Sequence, residues 1–267
     1  MADSIIRVLN LTKSFKDVQA VKGISFEVAH GECFALLGPN RAGKTTTIKM
    51  LITLLAADGG EAWVNGFSLK EPGRIRESIG YVPQSLSVDG ALTGWENLSI
   101  FGKLYGMDSK ELKERIPRIL ALMDLTEAAH RPVAHYSGGM VRRLEVGQAI
   151  LHHPTVIFLD EPTVGLDPVA RKALWGHIRE LQKEYGMTLF LTTHYMDEAQ
   201  ELCDRIAIMD KGSIEVIGTL AQLRKAAKMP RASMDELFVH FVGKLEPEEQ
   251  GDLSDVKRIR RTARRLG

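Results

Sequence analysis

Eight consecutive residues, Gly38-Pro39-Asn40-Arg41-Ala42-Gly43-Lys44-Thr45, fit the pattern G-x-x-x-x-G-K-[ST]. A loop of this kind binds phosphate: its backbone N–H groups converge on an anion, and the helix that follows adds the positive end of its dipole. In that pattern Lys44 reaches the outer phosphates of a nucleotide and the Thr45 hydroxyl ligates Mg²⁺. Gly43 lets the backbone pass close to phosphate. The pattern carries weight only between a strand and a helix. Cys33–Leu37 is an apolar run that reads as a buried strand, and residues 46–55 have helical character with no Gly or Pro.

Two further constellations could serve the same chemistry. Val156-Ile157-Phe158-Leu159-Asp160-Glu161 is an apolar run that ends in two acids. An Asp at such a strand end can hold Mg²⁺, and the Glu beside it can orient or deprotonate an attacking water. Ser137-Gly138-Gly139-Met140 opens a helix, with Ser137 as N-cap and two glycines that leave the first amides open to a phosphate. Alone, the first reads as a helix-capping acid pair and the second as an ordinary cap. Together with the upstream loop they become parts of one site.

The elements that must position these residues follow from hydrophobic runs and turn signals. Residues 5–11, 24–28 and 33–37 read as strands separated at Lys22-Gly23 and His30-Gly31, and Asn65-Gly66 closes a hairpin after a short strand at 62–64. Residues 79–82 form a strand stopped by Pro83. Residues 92–130 are rich in helix formers, especially 98–105 and 109–125, and residues 137–153 form a further helix ended by Pro154. Beyond it, strands at 155–159 and 188–192 flank a helix at 168–183. Met196–Leu202 is helical, and Arg205–Asp210 pairs with residues 213–217 across Lys211-Gly212. Strands alternating with helices imply an α/β fold with a mainly parallel sheet covered on both faces. No internal repeat is present. Residues 234–242 are apolar enough to pack, and six basic residues at 257–265 read as a solvated tail.

Bulk properties narrow the function classes. Lys and Arg total 35 against 34 Asp and Glu, a net charge of +1, which gives no electrostatic case for nucleic acid. No uncharged apolar run approaches the roughly 20 residues needed to span a bilayer. The first residues, Met1-Ala2-Asp3-Ser4, carry no signal-peptide pattern. The two cysteines, Cys33 and Cys203, lie in apolar settings without metal-type spacing and read as buried free thiols.

Residues 38–45, Gln84, Tyr136-Ser137-Gly138-Gly139-Met140, Val156 through Glu161, Gly165-Leu166-Asp167 and His194 occur in the order and spacing of the ATP-binding-cassette (ABC) ATPases. The chain resembles that family over residues 4–220. Thr192-Thr193-His194-Tyr195-Met196-Asp197-Glu198-Ala199 and Leu92-Thr93-Gly94-Trp95-Glu96-Asn97-Leu98 resemble the subunits of drug-resistance and polysaccharide or lipid exporters. The resemblance implies a phosphate-loop NTPase core with an N-terminal antiparallel β portion and an inserted helical subdomain. It divides the chain into an ABC domain at 1–220 (core 1–84 and 155–220; helical and signature subdomain 85–154) and a C-terminal extension at 221–267.

For the site, the resemblance implies Phe15 stacked on adenine, and ATP phosphates held by Gly38, Pro39, Asn40, Arg41, Ala42, Gly43, Lys44, Thr45 and Thr46. It implies Mg²⁺ on Thr45, Gln84 and Asp160, Glu161 as base, and His194 on the γ-phosphate. Gln84 also senses the membrane partner, Asp167 couples two sites, and the insert around Trp95 carries motion to a separate multi-span membrane subunit. Ser137, Gly138 and Gly139 close on ATP held by a second ATPase subunit; a homodimer is the economical reading. The expected place is the cytoplasmic face of the cell membrane. Import rather than export, and a cassette acting on ribosomes or DNA, are the alternatives; the single cassette without sustained heptads argues against the latter. Two residues depart from the family pattern. Arg41 stands where most relatives carry glycine, and costs about 1 kcal/mol or more if the loop needs φ > 0. Tyr136 stands where leucine is usual.

Overall fold

The computed structural model describes residues 4–243; the basic cluster at 257–265 lies outside them. Chain direction and burial sort the strands into two sheets. β1 (Ser4–Phe15), β2 (Val18–Ala29), β4 (Gly59–Val64) and β5 (Phe67–Ser68) make an antiparallel sheet in the order β2-β1-β4-β5. β3 (Cys33–Leu37), β6 (Ile79–Val82), β7 (Val156–Asp160), β8 (Thr188–Thr193), β9 (Arg205–Asp210) and β10 (Ser213–Gly218) make a second sheet in the order β10-β9-β3-β8-β7-β6. All its neighbours run parallel except β9 and β10. Every residue of β3, β7 and β8 is buried, the polar Asp160, Thr188, Thr192 and Thr193 included, and the apolar runs at 33–37, 156–159 and 189–191 suit strands covered on both faces.

That sheet is a wall between two cores. Phe34, Leu36, Phe158 and Phe190 face the antiparallel sheet, where Phe26, Phe34 and Phe190 stack with centroids 5.3–5.8 Å apart. Alternate residues Ala35, Leu37, Ile157, Leu159 and Leu191 face the helices. The period of two assigns each side chain to a core, and each large apolar group buried this way contributes about 1.5–3 kcal/mol.

The helices are α1 (Lys44–Leu51), α2 (Pro72–Ser78), α3 (Gly94–Leu104), α4 (Ser109–Leu122), α5 (Gly138–Ile150), α6 (Pro168–Tyr185), α7 (Met196–Leu202), α8 (Leu220–Ala226) and α9 (Met234–Val242). Helices α3, α4 and α5 all lie between the paired strands β6 and β7. A capping box between Thr93 and Glu96 starts α3, the Asp108 carboxylate caps α4, and Ser137 caps α5. Met234, Leu237 and Phe238 of α9 are buried in the helix-side core. Among the described residues no helix is long and apolar enough to cross a membrane.

Some expectations are corrected. Lys22-Gly23 is not a turn. β1 and β2 are continuous, and Gly23 at φ 76° is the extra residue of a bulge between the pairs Leu11–Ile24 and Thr12–Lys22. The helix after the phosphate loop ends at Leu51, with Thr53 at φ 61°, not at residue 55. Strand β5 and helix α2 carried no clear signal. The turns at Asn65-Gly66 and Lys211-Gly212 stand as expected, both residues of each at positive φ. Cys33 and Cys203 are free, with sulfurs 3.4 Å apart.

Candidate functional site

Parallel pairing brings the C-terminal ends of four strands into one row: Leu37 lies beside Thr193, Thr192 beside Asp160, and Leu159 beside Val82. The loops that leave those ends carry residues 38–45, His194, Glu161 and Gln84. This is where open α/β sheets place ligands, outside the carboxyl ends of the strands.

The loop has little freedom. A Cβ on Gly38 would lie 2.2 Å from the Met209 carbonyl oxygen, and one on Gly43 2.5 Å from that of Ala20. Gly43 sits at φ 106°. Arg41 sits at φ 66°, the left-handed region, so the condition for strain is met. Lys44 is buried; its Nζ donates to the carbonyls of Gly38 (2.8 Å) and Pro39 (3.0 Å) and lies 3.2 Å from Glu161 Oε1. The ammonium lies across the loop with its charge at the loop's mouth.

Asp160 is fully buried. Its Oδ1 accepts from Thr45 Oγ1 at 3.0 Å and Thr192 Oγ1 at 2.6 Å, while Oδ2 has no hydrogen-bond partner. Burial pushes its carboxyl above the ordinary range, against the two hydroxyl bonds. An orphaned buried carboxylate oxygen beside a threonine hydroxyl fits Mg²⁺, which takes one or two carboxylates plus substrate phosphates rather than an all-protein cage.

Glu161 follows at φ 49°, its amide donating to the Thr192 carbonyl at 3.1 Å. Oε1 faces Lys44. Oε2 accepts from Gln84 Nε2 at 3.1 Å and lies 3.4 Å from His194 Nδ1. Burial pushes its carboxyl up, but His194 and Lys44 outweigh that and hold it below the ordinary range. Glu161 is therefore ionised at neutral pH and able to accept a proton from water.

A cavity of about 860 Å³ opens beside these groups, lined by Phe15, residues 40–46, Gln84 and Glu161. Phe15 is 47% exposed at its rim, with the Lys13 ammonium over the ring 5.6 Å from its centroid. Loop, acids, Gln84, His194 and Phe15 are thus brought together. Ser137, Gly138 and Gly139 do not line this cavity. Ser137 and Gly138 are exposed, and a Cβ on Gly138 or Gly139 would approach Leu166 or Ala170. The Tyr136 hydroxyl donates to the Ala128 carbonyl at 2.7 Å, a bond leucine could not make.

Sequence reasoning missed three contributors. Thr192 reads as an ordinary strand residue, yet its hydroxyl holds Asp160. Arg142 and Glu145 on α5 form a buried ion pair at 2.9 Å, and Arg142 reaches the carbonyls of Pro83 and Gln84. Their signal was two opposite charges three residues apart on an otherwise apolar face of Val141, Leu144 and Val146.

Strand, glycine-rich loop and helix, with acids at a neighbouring strand end, define a phosphate-loop nucleotide hydrolase. Residues 21–164 match a family model described as ABC transporter. The chain is 42% identical over 220 residues to the linearmycin resistance ATP-binding protein LnrL of Bacillus subtilis, covering 82% of this chain and 70% of that protein. It is 43% identical over 213 residues to the Nod factor export ATP-binding protein I of a Rhizobium species, covering 79% and 70%. Among solved structures, an ATP-binding subunit of an ABC transporter superposes with TM-score 0.80 at 33% identity, covering 89% of this chain and 99% of that one. A dimeric cassette bound to ADP and Pi superposes with TM-score 0.73 at 25% identity, covering 80% and 98%. The chain belongs to the ABC transporter family: it is an ATP-binding, ATP-hydrolysing transporter subunit.

Proposed function

We propose that this subunit powers an exporter, working as a head-to-tail homodimer on a separate multi-span membrane subunit at the cytoplasmic face of the membrane. The observation that carries the dimer is the separation of Ser137-Gly138-Gly139 from the nucleotide cavity of the same chain. The names of relatives support export: besides the two above, the daunorubicin/doxorubicin resistance ATP-binding protein DrrA of Streptomyces peucetius is 42% identical over 222 residues.

In this reading Phe15 stacks on adenine and residues 38–46 wrap the phosphates. Thr45, Asp160 and Gln84 hold Mg²⁺, which when bound supplies charge neutralisation at the terminal phosphates. Glu161 takes a proton from the attacking water, oriented by Gln84, while Lys44 and His194 stabilise charge on the transferring phosphoryl group. The partner's copy of the Ser137 segment caps the same phosphates, so ATP favours the closed dimer and its hydrolysis releases it. Asp167 lies near that interface. Residues 1–84 and 155–220 form the nucleotide-binding core, 85–154 the helical subdomain that passes motion to the membrane chain through the region of Trp95, and 221–267 an extension.

Glu161→Gln is the trap that tests this. Purified with ATP and Mg²⁺ it is expected to hydrolyse about 10²–10⁴-fold more slowly and to run as a dimer. Extracted from its native host in mild detergent, it is expected to bring down a multi-span membrane protein. Recovery of ribosomal or DNA-repair proteins without a membrane partner would overturn the transporter coupling.

A further inference from the structure

The buried pair on α5 raises a physical question. Arg142 is 3% exposed and Glu145 2%. Burying two charges costs several kcal/mol per ion, and well-packed apolar replacements are often as stable or more so. Such a pair is poorly explained by stability, so what it holds is the informative point.

Arg142 spends its fork on one segment. Nη1 donates to the Pro83 carbonyl at 2.7 Å and to Glu145 Oε2 at 2.9 Å, and Nη2 donates to the Gln84 carbonyl at 2.9 Å. Glu145 completes the grip from the other side: its Oε1 accepts from the Ser87 amide at 2.5 Å and the Ser87 hydroxyl at 3.0 Å. Residues 83–87 are thereby fixed to α5 at both ends, although Gln84, Ser85, Leu86 and Ser87 are all exposed and outside any helix or strand. Burial raises the Glu145 carboxyl, and the Arg142 charge and the Ser87 donors oppose that rise without cancelling it. From the same segment Gln84 Nε2 reaches Glu161 Oε2 at 3.1 Å. One helix therefore opens at Ser137 and, through Arg142, holds the residue that touches the base.

We propose that Arg142, anchored by Glu145, is the positioning residue of Gln84, making helix α5 and the Gln84 segment move as one body so that the seating of Ser137 on a partner is felt at Glu161. The proposal rests on the reading of Glu161 as base. A planar guanidinium can bridge two carbonyls and a carboxylate at fixed angles; a lysine ammonium offers a single point with rotatable donors. Arg142→Lys thus keeps the charge and loosens the grip.

The test is a double-mutant cycle of Arg142→Lys with Gln84→Ala on the full chain, reading kcat and KM for ATP. Arg142→Lys is expected to lower kcat about tenfold with KM shifted less than about twofold, the mark of an interaction realised in the transition state. In the Gln84→Ala background it is expected to lower kcat no further, because its effect passes through Gln84. Additive losses, or a loss in KM alone, would overturn the proposal and leave Arg142 a packing residue. Should Arg142→Lys fail to fold, Glu145→Gln, which leaves both carbonyl bonds but weakens their anchor, takes its place in the cycle with the same two outcomes. Full turnover in Glu161→Gln would instead sink the base assignment, so the two failures are distinguishable.

Discussion

The loop at 38–45 and the loop at 136–139 both deliver a turn into a helix N-terminus, yet one is walled in and the other open. Gly38 and Gly43 have no room for a methyl group, Lys44 and Glu161 are buried against each other, and Asp160 lies under both. At the second loop Ser137 and Gly138 are exposed, and the Ser137 hydroxyl does no more than accept from Met140 N at 3.3 Å. The first amides of a helix have no partner inside it. In α1 the cavity faces them; in α5 solvent does. The difference separates what one chain completes, a preformed nucleotide site, from what needs a second surface.

The comparison breaks most directly at Lys44. Lys44→Ala is expected to abolish nucleotide binding and hydrolysis together, because the buried carboxylate of Glu161 would lose the cation 3.2 Å away as well as the phosphates. Near wild-type turnover would remove the loop assignment. Ser137→Arg should separate the two loops. It fills an exposed position, so ATP affinity of the isolated subunit is expected to stay within about twofold while turnover falls about tenfold or more. Equal loss of binding and turnover would mean that the second loop serves its own chain's cavity.

The asymmetry also explains what could be read in advance. Residues 38–45 and 156–161 announce themselves because steric and electrostatic demands there admit few residue types: glycine where a Cβ would meet a carbonyl, an acid where an apolar strand meets a cation. The parallel sheet was legible for a related reason, since β3 is apolar throughout, β7 is apolar up to Asp160, and β8 is apolar at Leu189, Phe190 and Leu191. Long-range polar contacts were not legible. Nothing local in Thr192 says that it faces Asp160, and the spacing of Arg142 and Glu145 hints at a pair without saying that the Arg142 fork lies on Pro83 and Gln84. Gly23 misled because positive φ serves a bulge as well as a turn, and only the partner strand decides between them.

A smaller effect concerns stability within the closed site. Asp160 has its pKa raised above the ordinary 3.8, first by burial. An acid whose folded pKa is raised destabilises the fold once pH exceeds the unfolded value, and the penalty grows until pH passes the folded value. Asp160→Asn keeps an acceptor for Thr45 and Thr192 but has no charge to bury. Without nucleotide it is expected to melt a few degrees higher than the wild type at neutral pH, with the gain vanishing as pH falls below 3.8, while Mg²⁺-dependent turnover drops at least about tenfold. A lower Tm at neutral pH would mean that Asp160 is a structural carboxylate rather than one held in readiness for a cation.

The smallest effect sits in the loop itself. Arg41 is exposed and at φ 66°, where a side chain costs about 1–2 kcal/mol relative to glycine. Glycine gives back part of that through the greater freedom of its unfolded chain, about 0.4–1 kcal/mol. The left-handed term is the larger, so Arg41→Gly is expected to stabilise the nucleotide-free protein by up to about 1 kcal/mol, or roughly 2–4 °C in Tm for a domain of this size. The same substitution removes a cation from the cavity wall. With subsaturating ATP the order should therefore narrow or reverse, because ligand stabilisation follows affinity as RT ln(1 + [L]/Kd). Equal shifts with and without ATP would show that Arg41 loads the loop with strain and contributes nothing to the phosphates.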